Sequence, residues 1–175
     1  MVELADVQHL LEIGPGRGYF RAMAQLLGYE IKTLDRNADN HPDYDCEITE
    51  LDPPMSFDAV LAFEVLEHMP YQDSIKFFSE MVRLTSRYVI VSIPTRQLRL
   101  RRIAKLRSPR LPDLPPVDRE DHWKPHHWEI GRKSYPATRI VSDYCDQGVK
   151  LVRQFSNPRH KYHTFFVFET GQPER

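Results

Sequence analysis

Near the start of the chain, a short apolar segment leads directly into a glycine-rich turn, and an amphipathic segment follows. The turn is Gly14-Pro15-Gly16-Arg17-Gly18, and the apolar segment covers residues 7–13. Glycines at alternate positions let the backbone bend sharply and approach a ligand closely, because glycine has no side chain in the way. A helix that starts at such a turn also points its first N–H groups at the ligand. The pattern predicts a strand, a ligand-binding turn and a helix, although similar turns also join strands to helices without binding a ligand.

Short apolar segments alternate with longer amphipathic ones as far as residue 93, which is typical of a parallel sheet with crossover helices. The predicted strands cover residues 7–13, 30–34, 43–48, 56–63 and 87–93, and the predicted helices cover 18–27 and 70–84. Further along, the sequence predicts a helix over 135–147 and strands over 151–155 and 164–169. We expect the last two strands to pair as an antiparallel hairpin at one edge of the sheet. The sequence therefore predicts an α/β fold with a mostly parallel sheet.

The length and composition suit one domain over residues 1–175. The chain has 175 residues, of which 41% are hydrophobic and 28% charged, values close to those of globular proteins. No apolar segment approaches the roughly 20 residues that a membrane-spanning helix needs, and the first residues lack the features of a signal peptide. We therefore expect a cytoplasmic protein.

Regular patterning stops between about residues 95 and 130, where prolines prevent a long helix. This stretch is interpreted as an insertion that acts as a lid or substrate element. It begins with a basic cluster that contains no acid: Arg96, Arg99, Arg101, Arg102, Lys105, Arg107 and Arg110. The basic cluster is either a solvated surface or a surface that attracts an anionic substrate, a lipid surface or RNA.

An acidic residue ends the second predicted strand. Asp35 follows the first glycine by about twenty residues, the position at which a carboxylate accepts hydrogen bonds from ribose hydroxyls. A dinucleotide fingerprint would need a third glycine at position 19, where this chain has Tyr19. Glu12 precedes the turn, and its carboxylate would repel a pyrophosphate but attract a ligand with a sulfonium and an amino group. S-adenosylmethionine is such a ligand.

Four motifs stand in a fixed order over residues 7–93. They are residues 11–18 around the glycine turn, Asp35, residues 57–60 (Phe-Asp-Ala-Val) and residues 64–68 (Glu-Val-Leu-Glu-His). In order and spacing they resemble the class I S-adenosylmethionine-dependent methyltransferases. The resemblance implies a three-layer, Rossmann-like α/β fold, methyl transfer as the activity, S-adenosylmethionine as the cofactor and S-adenosylhomocysteine as its product.

The resemblance also implies a set of cofactor-binding residues. These are Glu12, Gly14, Gly16, Gly18, Asp35, Glu47, Ile48, Phe63 and Glu64. In this interpretation the glycine turn, supported by the acid before it, lines the methionine and ribose portions, and Asp35 binds the ribose hydroxyls. Glu47 and Ile48 hold the adenine, although the family more often has Asp in place of Glu47. Glu64 borders the methionine end, and Phe63 packs either there or in the core.

Candidate bases come from several places in the chain, because methyl transfer needs a base only for a hydroxyl or protonated amine acceptor. The candidates are His68, His126, His127 and Tyr135, with no choice among them. His68 is better explained as a residue that caps or packs the following helix, with substrate contact as the alternative.

Residues 121–131 hold the densest group of aromatic and titratable side chains and are interpreted as a substrate lid. Trp128 within them either stacks on the substrate or anchors the segment to the sheet. His122 and His126 are four residues apart, as zinc ligands on a helix are, but Pro125 argues against a helix there. No metal site is therefore predicted.

A small-molecule acceptor is the main hypothesis, since no nucleic-acid-binding module accompanies the cofactor domain. An RNA or protein acceptor is the alternative. A catalytically silent, S-adenosylmethionine-binding regulatory protein is a further alternative, because only six residues precede the first predicted strand, where the family commonly has a helix over the cofactor. The sequence predicts neither the acceptor atom nor the oligomeric state.

Overall fold

A computed structural model describes residues 7–96, 112–114, 126–157 and 162–171. Strands and helices alternate along these residues in the predicted order. The elements are β1 (His9–Ile13), α1 (Tyr19–Leu26), β2 (Glu30–Asp35), β3 (Tyr44–Asp45), β4 (Phe57–Phe63), α2 (Tyr71–Leu84), β5 (Thr85–Pro94), α3 (Ala137–Cys145), β6 (Val149–Ser156) and β7 (His163–Thr170).

The seven strands form one sheet in the order β3-β2-β1-β4-β5-β7-β6. Strands β1 to β5 pair in parallel, and β7 pairs antiparallel with both β5 and β6. The central strand β4 is almost continuously apolar and buried, as a parallel strand covered on both faces must be. The predicted α/β class and the antiparallel hairpin at the edge are confirmed.

Helices cover both faces of the sheet and make the fold three-layered. On one face, Phe78 of α2 stacks on Tyr144 of α3 with ring centroids 4.2 Å apart. On the other face, Ala24 of α1 is buried against the sheet, and Phe20 packs beside it. Each helix buries one side because its apolar residues recur at the spacing of a helical turn. Among the described helices, none is long and apolar enough to cross a membrane.

The third strand is shorter than the sequence predicts. The prediction covers residues 43–48, whereas β3 ends at Asp45 and a 3₁₀ turn occupies Ile48–Glu50. A capping box explains the early end, because the Glu47 backbone N–H donates to the Glu50 carboxylate at 3.2 Å. The turn buries the Ile48 side chain.

The insertion predicted over residues 95–130 is described only at its ends. The basic cluster beyond Arg96, together with residues 115–125, lies outside the described residues. At the far end, the Ile130 N–H donates to the Pro94 carbonyl at 3.0 Å, and the Arg96 N–H donates to the Ile130 carbonyl at 2.9 Å. Residues 126–130 therefore run beside the end of β5.

Strand β1 lies where the direction of chain progression across the sheet reverses, with β2 on one side and β4 on the other. In open α/β sheets, ligands bind at the carboxyl ends of the strands beside such a reversal. The glycine-rich turn follows β1 at that edge. The fold therefore places the turn where a ligand site is expected.

Candidate active site

The glycine-rich turn needs its glycines for two different reasons. Gly14, Gly16 and Gly18 have φ angles of 67°, 51° and 73°, in the left-handed region that side chains disfavour. A Cβ on Gly14 would also lie 2.8 Å from Val65 Cγ2, which is a clash. At Gly16 and Gly18 an added Cβ would meet nothing within 4 Å, so open space lies beside the turn. The turn thus leaves room for a ligand next to its backbone.

Glu12 carries its carboxyl group into the protein interior beneath the start of α1. The side chain accepts a hydrogen bond from the Arg21 backbone N–H, but among the described residues Oε2 has no partner. Burial raises the pKa of Glu12 to about 7, against the lowering effect of Arg21. A buried acceptor without a donor is unfavourable, so the site fits a ligand that brings a positively charged or N–H group.

Asp35 ends β2 with both carboxylate oxygens held in place. Oδ1 accepts from the Asn37 backbone N–H at 2.9 Å, and Oδ2 accepts from Asn40 Nδ2 at 2.7 Å. The loop beyond is tied back to β2, because the Asp43 carboxylate accepts from the Thr33 backbone N–H and hydroxyl, both at 3.0 Å. Asp35 is therefore presented in one orientation.

A cavity of about 1150 Å³ opens at the carboxyl edge of the sheet. The predicted residues that line it are Gly14, Asp35, Glu47, Ile48, His68 and His127. Met69, Asp73 and Phe77 also line it. Sequence reasoning missed Asp73 and Phe77 because the periodicity of α2 assigns that helix to packing, and it missed Met69 because that residue belongs to no predicted element. All three lie in the segment that leads away from the carboxyl end of β4, which is the signal that could have found them.

Other predicted site residues do not line the cavity. Phe63 packs against Phe20 and Phe165, with ring centroids 5.1 and 6.0 Å away, on the face covered by α1. Glu64 has a φ of 55° and turns its carboxylate toward Ser92 Oγ at 2.7 Å and His163 Nδ1 at 2.9 Å. Gly16 and Gly18 belong to the turn and Glu12 precedes it, but none of the three lines the cavity.

Glu67 is a second buried carboxyl group of the region. Its side chain is fully buried, and among the described residues no other residue donates a hydrogen bond to either oxygen. Burial, together with the neighbouring negative charge of Glu64, raises the pKa of Glu67 to about 8. The Glu67 backbone carbonyl accepts from the His127 N–H at 2.8 Å. This bond joins the turn after β4 to residues 126–130.

Two histidines lie beside Glu67. The rings of His68 and His126 meet edge to face, with centroids 5.0 Å apart. His126 Nδ1 lies 3.0 Å from Oε1 of the buried Glu129, and Arg132 donates to Oε2 of the same carboxylate at 2.8 Å. We call Glu67, His68 and His126 the carboxylate–imidazole cluster. It adjoins the cavity through His68.

Trp128 fixes residues 126–130 to the sheet domain. Its indole is fully buried, donates from Nε1 to the Met69 carbonyl at 3.2 Å, and packs against Tyr71 and Tyr135 with centroids 5.0 and 5.9 Å away. Of the two sequence-based interpretations, the structure favours the anchor. Tyr135 belongs to the same aromatic group and does not line the cavity, whereas His127, next to the anchor, does.

Comparison with known proteins identifies the family. Residues 3–132 match the model of a methyltransferase domain family. Since the match covers most of the chain, this protein belongs to that methyltransferase family. No curated protein sequence matches the chain significantly.

Solved structures share its fold. Magnesium protoporphyrin IX methyltransferase from Synechocystis PCC 6803, with bound S-adenosylmethionine, has a TM-score of 0.60 and 14% identity, over 94% of this chain and 71% of that one. The 1,6-didemethyltoxoflavin-N1-methyltransferase from Burkholderia thailandensis has a TM-score of 0.64 and 14% identity, over 94% and 71%. The glycopeptide N-methyltransferase MtfA has a TM-score of 0.64 and 12% identity, over 95% and 87%. The fold predicted from the class I methyltransferase resemblance is confirmed.

Proposed function

We propose that this protein transfers a methyl group from S-adenosylmethionine to a small-molecule acceptor. The observation that carries the proposal is the single cavity of about 1150 Å³, which joins the glycine turn and Asp35 to two histidines. Ligand pockets usually measure roughly 300–1,000 Å³, so this cavity has room for a cofactor and a second small molecule. The similar structures named above include enzymes that act on a porphyrin, a toxoflavin precursor and a glycopeptide, which supports the same class of acceptor.

Polar groups and open space in and beside the cavity support S-adenosylmethionine as the cofactor. Asp35 offers fixed carboxylate oxygens to the ribose hydroxyls. Glu47 and Ile48 flank the place of the adenine. The open space beside Gly16 and Gly18 admits the methionine portion, and the unpartnered oxygen of Glu12 favours its positive charge.

The acceptor half of the cavity, which His68 and His127 line, has to align the acceptor and exclude water. When bound, S-adenosylmethionine supplies a methyl group that the positive sulfonium has already activated for in-line displacement. Because Trp128 anchors the segment that carries His127, the geometry at the cavity wall is set before binding, which favours alignment. In this proposal the His127 imidazole is the general base, which accepts the proton that a hydroxyl or amine acceptor releases.

The RNA and lipid alternatives depend on the basic cluster, of which the structure describes only Arg96. There, Arg96 Nε lies 3.6 Å from the Glu129 carboxylate, and its guanidinium covers the Tyr162 ring. This arginine is thus engaged with the protein's own groups, and no described residue favours a polyanionic acceptor.

Calorimetry with the full chain tests the cofactor assignment. S-adenosylmethionine and S-adenosylhomocysteine are each expected to bind with a stoichiometry of one, and NAD at least about 100-fold more weakly, because Glu12 repels a pyrophosphate. Preferential binding of NAD would overturn the assignment.

Transfer of a labelled methyl group to small hydroxyl and amine acceptors, but not to RNA, is the second expected result. Cofactor binding without transfer to any acceptor would instead support the silent regulatory protein.

Glu12→Gln is expected to stabilise the ligand-free protein at high pH while weakening its binding of S-adenosylmethionine. The pKa of Glu12 is raised to about 7 in the folded protein, compared with about 4.3 for an exposed glutamate. The folded state therefore holds the proton over this window, and stability falls as the pH rises through it. The loss is nearly complete by pH 8, on the order of 3 kcal/mol, and the variant does not suffer it.

Urea unfolding at pH 5 and pH 8 measures this effect. The stability difference between variant and wild type should be larger at pH 8 than at pH 5. Asp52→Asn, in the exposed loop before β4, is the matched control and should change neither the pH dependence nor the cofactor affinity. The same difference at both pH values would contradict the assigned state of Glu12.

A further inference from the structure

A buried carboxylate and two imidazoles converge beside the acceptor half of the cavity. We propose that the carboxylate–imidazole cluster of Glu67, His68 and His126 is a binding site for a divalent transition-metal cation, with Zn²⁺ as the best match. The sequence alone favours no metal site, because it offers only the spacing of His122 and His126. The fold supplies Glu67 and His68 from a different segment.

The distances suit a shared cation. One potential ligand atom from each of the three residues lies within 4.8 Å of those of the other two. Ligand atoms bound to one Zn²⁺ at about 2.0–2.2 Å lie roughly 3–4 Å from one another. The three ligand atoms therefore need to approach one another by only about 1–2 Å to share an ion.

The surroundings of Glu67 favour a cation, because its side-chain neighbour is the acidic Glu64 and no described cationic group pairs with it. The side chain is fully buried, and among the described residues no other residue donates to its oxygens. Buried carboxylates in proteins are normally paired or coordinate a metal. The carboxylates of Glu64 and Glu129 add negative potential at the same place. The nearby cations Arg132 and Arg96 contact Glu129 and not Glu67, so a bound cation would be the charge partner of the ionised Glu67 carboxylate.

His126 is oriented as metal-binding histidines are. Its Nδ1 faces the Glu129 carboxylate at 3.0 Å, and Arg132 fixes that carboxylate from the other side with bonds of 2.8 and 3.1 Å. When Nδ1–H donates a hydrogen bond to a carboxylate, Nε2 is left free to bind the metal. This is the usual arrangement around protein-bound metals.

The ligand set indicates the metal and its use. Two imidazoles and one carboxylate suit Zn²⁺ in sites that keep an open coordination position. Because His68 also lines the cavity, the open position would face the acceptor. In that position, and resting on the proposed function, the cation would bind an acceptor hydroxyl or carboxylate oxygen and lower the pKa of a bound hydroxyl. The acceptor class is therefore an oxygen-bearing small molecule.

Titration of the metal-free full chain with Zn²⁺ alone tests the proposal. One equivalent is expected to bind, and Co²⁺ in its place should give the visible absorption of nitrogen and oxygen ligands. Glu67→Gln and His126→Asn should each weaken Zn²⁺ binding at least about 100-fold, since loss of even a supporting residue costs about 10–100-fold. His41→Asn is the matched control, because it removes an exposed imidazole at a φ of 48°, a conformation that asparagine tolerates.

Thermal unfolding separates metal binding from a folding defect. Glu67→Gln keeps the size of the side chain and removes a group whose charged form burial disfavours, so the metal-free unfolding temperature of the variant should not fall below that of the wild type. Zn²⁺ should raise the unfolding temperature of the wild type and of His41→Asn, but not that of Glu67→Gln. No Zn²⁺ or Co²⁺ binding by the wild type, or unchanged affinity in both cluster variants, would overturn the proposal. Since these measurements contain no S-adenosylmethionine or acceptor, their outcome is independent of the methyl-transfer tests.

Discussion

Replacement of Trp128 by alanine is expected to lower the free energy of unfolding by about 3–5 kcal/mol, the usual range for a buried tryptophan. The indole is fully buried, donates to the Met69 carbonyl at 3.2 Å and packs edge to face on Tyr71. Its removal leaves a cavity between the sheet domain and residues 126–130, and a carbonyl without its donor. Urea unfolding of the ligand-free protein measures the loss.

Trp128→Phe separates the anchoring role from substrate stacking. Phenylalanine keeps much of the ring packing but cannot donate to Met69, so a loss of about 1–2 kcal/mol is expected. If the indole instead served to stack on the acceptor, this variant would keep wild-type stability and raise KM for the acceptor. That pattern of results would contradict the anchoring role.

The sequence predicts those parts of the fold that depend on local patterns. Alternating and helical periodicities place every strand and helix of the described residues within a few positions, because burial on one side imposes them. The glycine turn is equally local, since its three positive φ angles need glycine within five consecutive residues. The end of β3 is missed because Glu47 and Glu50 form their capping box through side chains rather than through apolar spacing.

The parts of the site made by distant contacts are not visible in the sequence. Glu67 is one letter of a short motif, and its burial depends on a segment that Trp128 fixes to Met69 across 59 positions of the chain. Likewise, the family resemblance implies Glu64 at the cofactor, but only the structure reveals that Glu64 also contacts Ser92 and His163, the latter on the C-terminal hairpin. The spacing of residues within one segment does not indicate which distant segment packs against it.

Asp35→Ala is expected to weaken the binding of S-adenosylmethionine about 100-fold or more. Hydrogen bonds to a charged group contribute about 1.5–3 kcal/mol each, and the carboxylate offers one oxygen to each ribose hydroxyl. Asn37 and Asn40 hold both oxygens in the ligand-free protein, so the Asp35 side chain loses little conformational freedom when the ligand binds. Calorimetry measures the loss. Asp45→Ala is the matched control, because Asp45 lies opposite Asp35 on the neighbouring strand β3, is exposed and does not line the cavity.

Comparison of the two cofactor forms locates the effect on the ligand. S-adenosylmethionine and S-adenosylhomocysteine share the adenosine portion, so Asp35→Ala should weaken both by the same factor. Only S-adenosylmethionine carries the sulfonium charge, so Glu12→Gln should weaken it more than S-adenosylhomocysteine. Equal losses in Glu12→Gln would place the sulfonium away from Glu12, and wild-type affinity in Asp35→Ala would place the ribose away from the end of β2. Each variant therefore tests one contact of the proposed binding mode while the other serves as its reference.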